Sequence, residues 1–182
     1  MLLSDGWLTS ENKKHKNAAL GFEQSLAKVR YILFVFNLLS HYCSKSPHFK
    51  IKTRLGIRSY SLTLYTRSMP CLTELRSVFY LNGVKILPFD IYNMLTPVAL
   101  AHMIMGGGSS QRHGLTICTD SLTLKDIVRL INVLIIRYRL VCSLRQHSIT
   151  QTRIYIKQSS MPLLRTIVIP HMCSSMLYKL EN

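Results

Sequence analysis

The sequence contains one short pattern twice, and this repeat constrains the fold more than any other feature of the chain. Residues 60–72 and 152–164 each read as an alternating strand, then Ser-Met-Pro, then the start of a helix. Pro70 and Pro162 suit a first helical turn, where a missing backbone donor costs nothing. The copies lie 92 residues apart in a chain of 182, so each repeated unit is domain-sized. The sequence therefore predicts two similar halves, a plan that suits a pseudo-symmetric partner such as a DNA duplex.

The charge balance points to an anionic partner. The chain has 23 Lys and Arg residues against 8 Asp and Glu residues, a formal net charge of +15. A surface this positive repels itself unless it meets negative charge, so nucleic acid is the leading partner and an anionic membrane the second. A basic domain with neither partner remains the plain alternative.

The apolar segments are too short or too interrupted for membrane insertion. Residues 32–39 form the longest apolar run, well below the roughly 20 residues that a spanning helix needs. Residues 127–141 are interrupted by Arg129, Arg137 and Arg139. The start of the sequence reaches Asp5 at once, so we expect neither a secretory signal nor a membrane partner.

The cysteines do not suggest a metal site. The five cysteines contain no Cys-x-x-Cys pair and lie in apolar surroundings, which is typical of buried thiols in a reducing compartment. A zinc site needs four convergent ligands, and the pairs around Cys43 and Cys173 do not supply them.

Hydrophobic periodicity predicts the same order of elements in both halves. Helices are expected over residues 26–41, 70–80, 97–105, 123–140 and 162–169, and strands over 19–24, 50–54, 59–66, 116–120, 142–147 and 153–157. Asn82-Gly83 is expected to end one helix and the glycines of 106–108 another. Each half then reads αββαββα, an α+β unit with an antiparallel sheet of about four strands. Residues 1–4 are too short to form the first helix alone.

Cations alternate along the predicted hairpins. Lys50, Lys52 and Arg54 occupy every second position, so they point to one face of a strand. Two-stranded ribbons fit the major groove, where Arg and Lys contact guanine edges or phosphates, and a solvated strand face is the alternative. The candidate nucleic-acid-binding residues are Lys13, Lys14, Lys50, Lys52, Arg54, Arg58, Arg112, Arg145, His147 and Arg153.

Residues 95–109, which end in LAHMIMGGGS, resemble the motif of the LAGLIDADG homing endonucleases. The similarity is greatest to fungal organellar, intron-encoded members that carry two motifs in one chain. The nine-letter motif matches only at Leu100, Ala101, Ile104 and Gly108. The similarity extends in order through residues 5–7, 118–121, 130–135, 153–156 and 175–180.

This resemblance implies a specific architecture. It implies two pseudo-symmetric α+β halves, each with a four-stranded antiparallel saddle sheet backed by helices, and motif helices at the interface between the halves. The halves would span residues 1–85 and 97–182, joined by a linker over 86–96. The expected partner is double-stranded DNA, bound by a monomer in the mitochondrion.

The resemblance also assigns the catalytic positions. In the family, each motif helix ends in an acid that holds divalent metal against a scissile phosphate. Asp5 takes the place of the first acid, as a catalytic residue and Mg²⁺ ligand, whereas Gly107 takes the place of the second. Lys157 falls where a basic residue of the hydrolytic site lies, although a plain lysine on the sheet is equally consistent.

Three functions follow as alternatives. Because glycine has no side-chain oxygen, the first is a Mg²⁺-dependent DNA endonuclease that is impaired in cleavage. The second is a maturase that binds intron RNA and does not need Asp5. The third is a folded remnant without function.

Overall fold

The structure is a computed structural model that describes residues 1–9, 16–148 and 151–181. The chain folds into two compact units. The first unit comprises Ser4–Val78 with Leu2, and the second Phe79–Asn182 with Met1 and Leu3. Each unit contains one copy of the repeated strand-to-helix pattern. Lys13 and Lys14 lie outside the described residues.

The first unit is built on a four-stranded antiparallel sheet with strand order β1-β2-β4-β3. Its elements are β1 (Gly6–Leu8), β2 (Leu20–Ser25), α1 (Val29–Leu39), β3 (His48–Arg54), β4 (Ile57–Tyr65) and α2 (Pro70–Phe79). Short 3-10 helices at Leu26–Lys28 and Ser40–Tyr42 extend α1 at both ends. The predicted helix over 26–41 and the β3–β4 hairpin are therefore confirmed.

Period-two alternation places one face of this sheet against α1. Phe22 of β2 and Leu64 of β4 lie on that face with no exposed surface. The ring of Phe22 meets that of Tyr31 of α1 edge-to-face, with centroids 5.5 Å apart. Ile32 and Val35 complete the buried stripe of the helix. This burial holds the sheet to α1 and leaves its opposite face uncovered by that helix.

The second unit repeats the plan, with strand order β7-β8-β10-β9. Its elements are the β5 (Tyr80–Leu81) and β6 (Val84–Lys85) hairpin, α3 (Ile91–Met94), α4 (Pro97–Gly107), β7 (Gly108–Gln111), β8 (Gly114–Ile117), α5 (Leu124–Tyr138), β9 (Cys142–Gln146), β10 (Thr152–Lys157) and α6 (Met161–Val168). Short 3-10 helices follow at Gln158–Ser160, Ile169–His171 and Ser174–Leu180. From α4 to α6 the order is αββαββα, which confirms the predicted α+β class.

Helix capping sets the start of the two long helices in this unit. The Thr96 hydroxyl accepts a hydrogen bond from the backbone N–H of Ala99, and Thr123 accepts one from Asp126. Ile154 and Ile156 of β10 are fully buried on the helix side of the sheet, as is Leu134 of α5. The core of the second unit therefore lies between its sheet and its helices.

The structure corrects three details of the sequence prediction. Asn82 and Gly83 do not end α2; they form the two-residue turn of the β5–β6 hairpin, with φ of +50° and +79°. α4 continues to Gly107, where the backbone N–H of Cys118 donates to the glycine carbonyl at 2.9 Å. The first strand of each sheet, β1 and β7, was not predicted.

The segment over 86–96 packs on the second unit. The Arg129 guanidinium of α5 donates to the backbone oxygens of Pro88 and Phe89, each at 2.9 Å. Leu87 and Leu95, which belong to the same unit, are buried. Among the described residues, no helix is long and apolar enough to cross a membrane.

His102 lies inside α4 with only 6% of its surface exposed. Burial lowers the pKa of this imidazole from 6.5 to about 4. The unfolded chain takes up the proton near pH 6.5 and the folded chain only near pH 4, so acid favours unfolding across this window.

We predict that the free energy of unfolding falls by about 3 kcal/mol as the pH drops from 6.5 to 4, because protonated His102 is poorly tolerated. His102→Asn should flatten that part of the profile, as measured by urea denaturation at several pH values. His113→Asn, at an exposed position, serves as the control and should leave the profile unchanged. Equal slopes for wild type and His102→Asn would contradict the assignment.

Candidate nucleic-acid interface

The uncovered face of the first sheet carries aromatic and cationic side chains. The pairing register places on this first open face Trp7, Glu23, His48, Lys50, Lys52, Arg54, Ser59, Ser61, Thr63 and Tyr65. Trp7 packs over Gly21, where a Cβ would come within 2.3 Å of the indole ring. Tyr65 contacts Trp7 edge-to-face and stacks on His48. The lysine alternation predicted from the sequence is therefore present.

Glu23 partly neutralises this first open face. Its carboxylate lies 2.5 Å from the Lys52 ammonium and 3.5 Å from that of Lys50. Burial disfavours the charged form, but hydrogen bonds from Lys52 and Ser61 and the two positive charges outweigh it and lower the pKa of Glu23. Two of the predicted DNA contacts are thus held by an internal carboxylate, which the sequence analysis missed.

Asp5 lies at the edge of the same sheet. It closes the turn before β1, is exposed, and accepts a hydrogen bond of 2.6 Å from the Gln24 side chain. Next to it is an open recess of about 490 Å³ in the first unit. The recess is lined by Asp5, Trp7, Glu23, Gln24, Ser25, Lys28, Lys52, Ser59, Tyr60 and Ser61.

The second sheet has a corresponding open face. The register places on it Ser109, Gln111, Thr116, Ser143, Arg145, Arg153, Tyr155 and Lys157. Arg153 forms a two-bond ion pair with Asp120, at 3.1 and 2.9 Å, and its hydrogen bond lowers the pKa of that carboxyl. Arg145 instead lies over the ring of Tyr155, 5.6 Å from its centroid. Within the described residues no carboxylate pairs with Arg145, so its charge remains available.

A polar recess opens on this second open face. It has a volume of about 340 Å³ and is lined by Gln111, Thr116, Arg145, Gln146, His147 and Arg153. The Thr116 hydroxyl is buried there without a hydrogen-bond partner among the described residues. A buried, unsatisfied hydroxyl is costly unless a water or a ligand completes it. The recess therefore offers donors and acceptors to a polar, anionic ligand.

Gly107 is the last residue of α4 and is half-buried. A Cβ built on it would lie no closer than 3.5 Å to its nearest neighbour, the Cys118 carbonyl. A Cβ at this position therefore makes only ordinary van der Waals contacts.

The pairing register defines which residues of the two units correspond. Gly6 pairs with Phe22 as Gly108 pairs with Ile117, so Asp5 and Gly107 hold equivalent places before the first strand. Further along, Tyr65 pairs with Gly21 and Tyr155 with Thr116. β4 and β10 thus match at an offset of 90 residues, not 92.

This offset changes the counterpart of Lys157. The Arg67 N–H donates to the Tyr42 carbonyl at 2.7 Å, as the Lys157 N–H donates to Val141 at 2.9 Å. Both units therefore carry a cation at this point. Arg67, not Tyr65, is the counterpart of Lys157, and an ungapped alignment of the two copies does not show this. The 3-10 turn Gln158–Ser160 absorbs the two extra residues of the second copy. The similar tripeptides Tyr-Thr-Arg and Tyr-Ile-Lys, which precede Ser-Met-Pro in the two copies, are the sequence signal that indicates this equivalence.

The remaining predicted residues are solvent-exposed. Arg54 and Arg58 flank the β3–β4 turn, Arg112 lies in the β7–β8 turn, and His147 follows β9. Opposite side-chain directions place Arg58 on the other face of the sheet from Arg54.

The described residues contain no cluster of three His, Cys, Asp or Glu side chains that could hold a metal ion. Asp5 supplies one exposed carboxylate, whereas Gly107 has no side chain that could bind a metal ion. Mg²⁺ is commonly held by one or two carboxylates together with substrate phosphates. Asp5 therefore fits one half of a metal site that phosphate would complete, whereas the equivalent place in the second unit does not.

Comparison with known proteins gives consistent results. The chain is 30% identical over 182 residues to the cytochrome b mRNA maturase bI2 of Debaryomyces hansenii, covering 94% of this chain and 68% of that protein. It is 31% identical to the bI2 maturase of Saccharomyces cerevisiae, covering 100% of this chain but only 45% of the yeast protein. An intron-encoded endonuclease, ai4, of Dictyostelium discoideum is 36% identical over 66% of this chain and 76% of its own length.

Solved structures share the fold. The homing endonuclease I-WcaI, bound to its DNA recognition sequence, superposes with a TM-score of 0.89 at 24% identity, over 98% of this chain and 81% of that one. I-DmoI in complex with DNA and Mn superposes with a TM-score of 0.52 at 7% identity, over 90% of this chain and 88% of that one. The family model described as LAGLIDADG DNA endonuclease matches residues 1–164. The chain therefore belongs to the LAGLIDADG DNA endonuclease family.

Proposed function

We propose that this protein binds a long double-stranded DNA site through the open faces of its two sheets. The observation that carries the proposal is that both units repeat one sheet order and both present cations on the face that their long helices leave uncovered. Arg and Lys are the side chains that most often contact phosphates and guanine edges in DNA. We expect one chain per DNA site, with one unit on each half of that site.

We also propose that cleavage is impaired. Asp5 would hold a divalent ion, with Mg²⁺ the expected one, in the first unit, and that ion would activate water and stabilise the leaving group. Gly107 cannot do the same in the second unit. Hydrolysis of both strands needs two competent positions, so we expect nicking of one strand or no cleavage.

Restoring the acid tests this assignment. We predict that Gly107→Asp gains cleavage of the second strand with Mg²⁺, measured on a duplex enriched from a random-sequence pool by the wild-type chain. The nearest atom to a Cβ built at Gly107 is 3.5 Å away, so the new Cβ itself meets no clash. Gly107→Ala is the matched control and should not gain activity, and Asp5→Asn should lose whatever nicking the wild type has. Efficient double-strand cutting by the unaltered chain would refute the proposal.

Salt dependence tests the DNA-binding faces. Each phosphate contact contributes about −0.9 to the slope of log K against log salt concentration. Arg145→Ala removes about one such contact, so its slope should be shallower than that of the wild type by about 0.9. Glu23→Gln releases Lys50 and Lys52 for up to about two further phosphate contacts, so its slope should be steeper than that of the wild type.

The control for Glu23→Gln is Glu74→Gln on α2, which changes the net charge equally but frees no sheet lysine. Fluorescence anisotropy across a salt series measures all four proteins. Equal slopes for Glu23→Gln and Glu74→Gln would show that the effect is one of net charge alone. A flat response of the wild type would exclude the duplex-binding proposal.

A second candidate function is splicing support by binding intron RNA. It is favoured by the two relatives described as cytochrome b mRNA maturases. These names, and the intron-encoded relative, also agree with the expected mitochondrial location.

A direct competition separates the two functions. The host intron RNA is labelled and bound to the protein. We predict that duplex DNA spanning the intron insertion site displaces this labelled RNA at least as well as unlabelled intron RNA does. A much higher affinity for the RNA, retained in Asp5→Asn, would establish the maturase function instead. A folded chain that binds neither would favour the non-functional remnant.

A further inference from the structure

The tip of the β3–β4 hairpin exposes large apolar side chains. Leu55 and Gly56 form a two-residue turn between Arg54 and Ile57, which pair across the strands. Leu55 is 94% exposed and Ile57 is 74% exposed. Apolar residues at such a position give the fold no burial, so folding does not explain why they are there.

The backbone of Leu55 is also strained. Its φ is +51°, and that of Gly56 is +78°, so both turn residues are left-handed. A bulky L residue rarely adopts this conformation, whereas Asn and Gly adopt it readily. The same chain shows the usual solution at Asn82 and Gly83, with φ of +50° and +79°. Leu55 therefore carries a conformational cost that asparagine at the same turn would largely avoid.

The surroundings of the tip indicate what it meets. The hairpin over residues 48–65 contains no acid. Its lysines, Lys50 and Lys52, pair with Glu23 of β2, whereas no carboxylate of the described residues pairs with Arg54 or Arg58. Arg54 and Arg58 flank the tip on opposite faces of the ribbon. Because a positive ribbon is continuous with the first open face, a DNA duplex complements the tip better than an uncharged protein surface does.

We propose that Leu55 packs against thymine methyl groups in the major groove of bound DNA. This inference rests on the proposed duplex binding. A two-stranded ribbon fits that groove, and the thymine methyl is the apolar feature that the base edges present there. The arginines on either side engage phosphate, while the leucine, held out by the left-handed turn, contacts the bases. Strain and exposure at this residue are thus offset when DNA is bound.

The experiment combines a protein variant with a base analogue. The probe is the duplex enriched from a random pool by the wild-type chain. It is prepared in two forms, one with thymidine and one with deoxyuridine, whose base lacks the methyl group. Wild type should bind the thymine duplex about fivefold to tenfold more tightly. Leu55→Asn should bind both duplexes equally, with a salt slope unchanged from wild type. Its melting temperature should rise by about 2–4 °C, because asparagine relieves the strain.

Leu81→Asn is the matched control, since Leu81 is 62% exposed beside the other two-residue turn. It should retain the preference for thymine. Equal binding of both duplexes by the wild type would overturn the proposal, as would a Leu55-dependent attachment to anionic vesicles in place of DNA. Failure of the wild type to enrich any duplex would instead refute the duplex-binding function itself.

Discussion

Antiparallel pairing with a strict two-residue alternation underlies everything else in this protein. In each unit, one pairing register decides which side chains face the helices and which stay uncovered. Phe22 and Leu64 bury themselves against α1 only because their neighbours Glu23 and Thr63 point the other way. A slip of one residue in β2 would turn Glu23 toward α1 and expose Phe22. Stability and the cationic faces are therefore two results of the same hydrogen-bond ladder.

Much of the fold could be predicted because local signals agreed with the tertiary structure. The repeated Ser-Met-Pro pattern gave two units, and the periodicity of residues 26–41 and 123–140 gave the long helices. The short strands β1 and β7 carried no such signal, since Gly-Trp-Leu and Gly-Ser-Ser-Gln show no alternation of apolar and polar residues. They form because β2 and β8 need a partner at their edges. The glycines at 106 and 107 stayed helical for a similar reason, with α4 buried around its circumference.

The site was less accessible to sequence reasoning. Alternation correctly indicated which residues share a face, but not which charges are already paired. Lys50, Lys52 and Arg153 each meet a carboxylate that lies on another strand or on a loop, and only the register brings these groups together. The equivalence of Arg67 and Lys157 was hidden for a different reason. The two copies differ in length by two residues, and this change lies in a 3-10 turn where the strand pairing is not disturbed, so an ungapped alignment pairs the wrong residues.

The carboxylate of Glu23 has a consequence for how such a protein would find its target. Any phosphate that approaches the first sheet must compete with a partner already in place, so fleeting encounters with arbitrary sequences gain little energy there. Only an encounter long enough for the lysines to exchange partners recovers the full attraction. In a protein that binds DNA as proposed, an internal counter-charge of this kind would shorten residence on the wrong DNA, so that a strongly basic molecule could move on and continue its search.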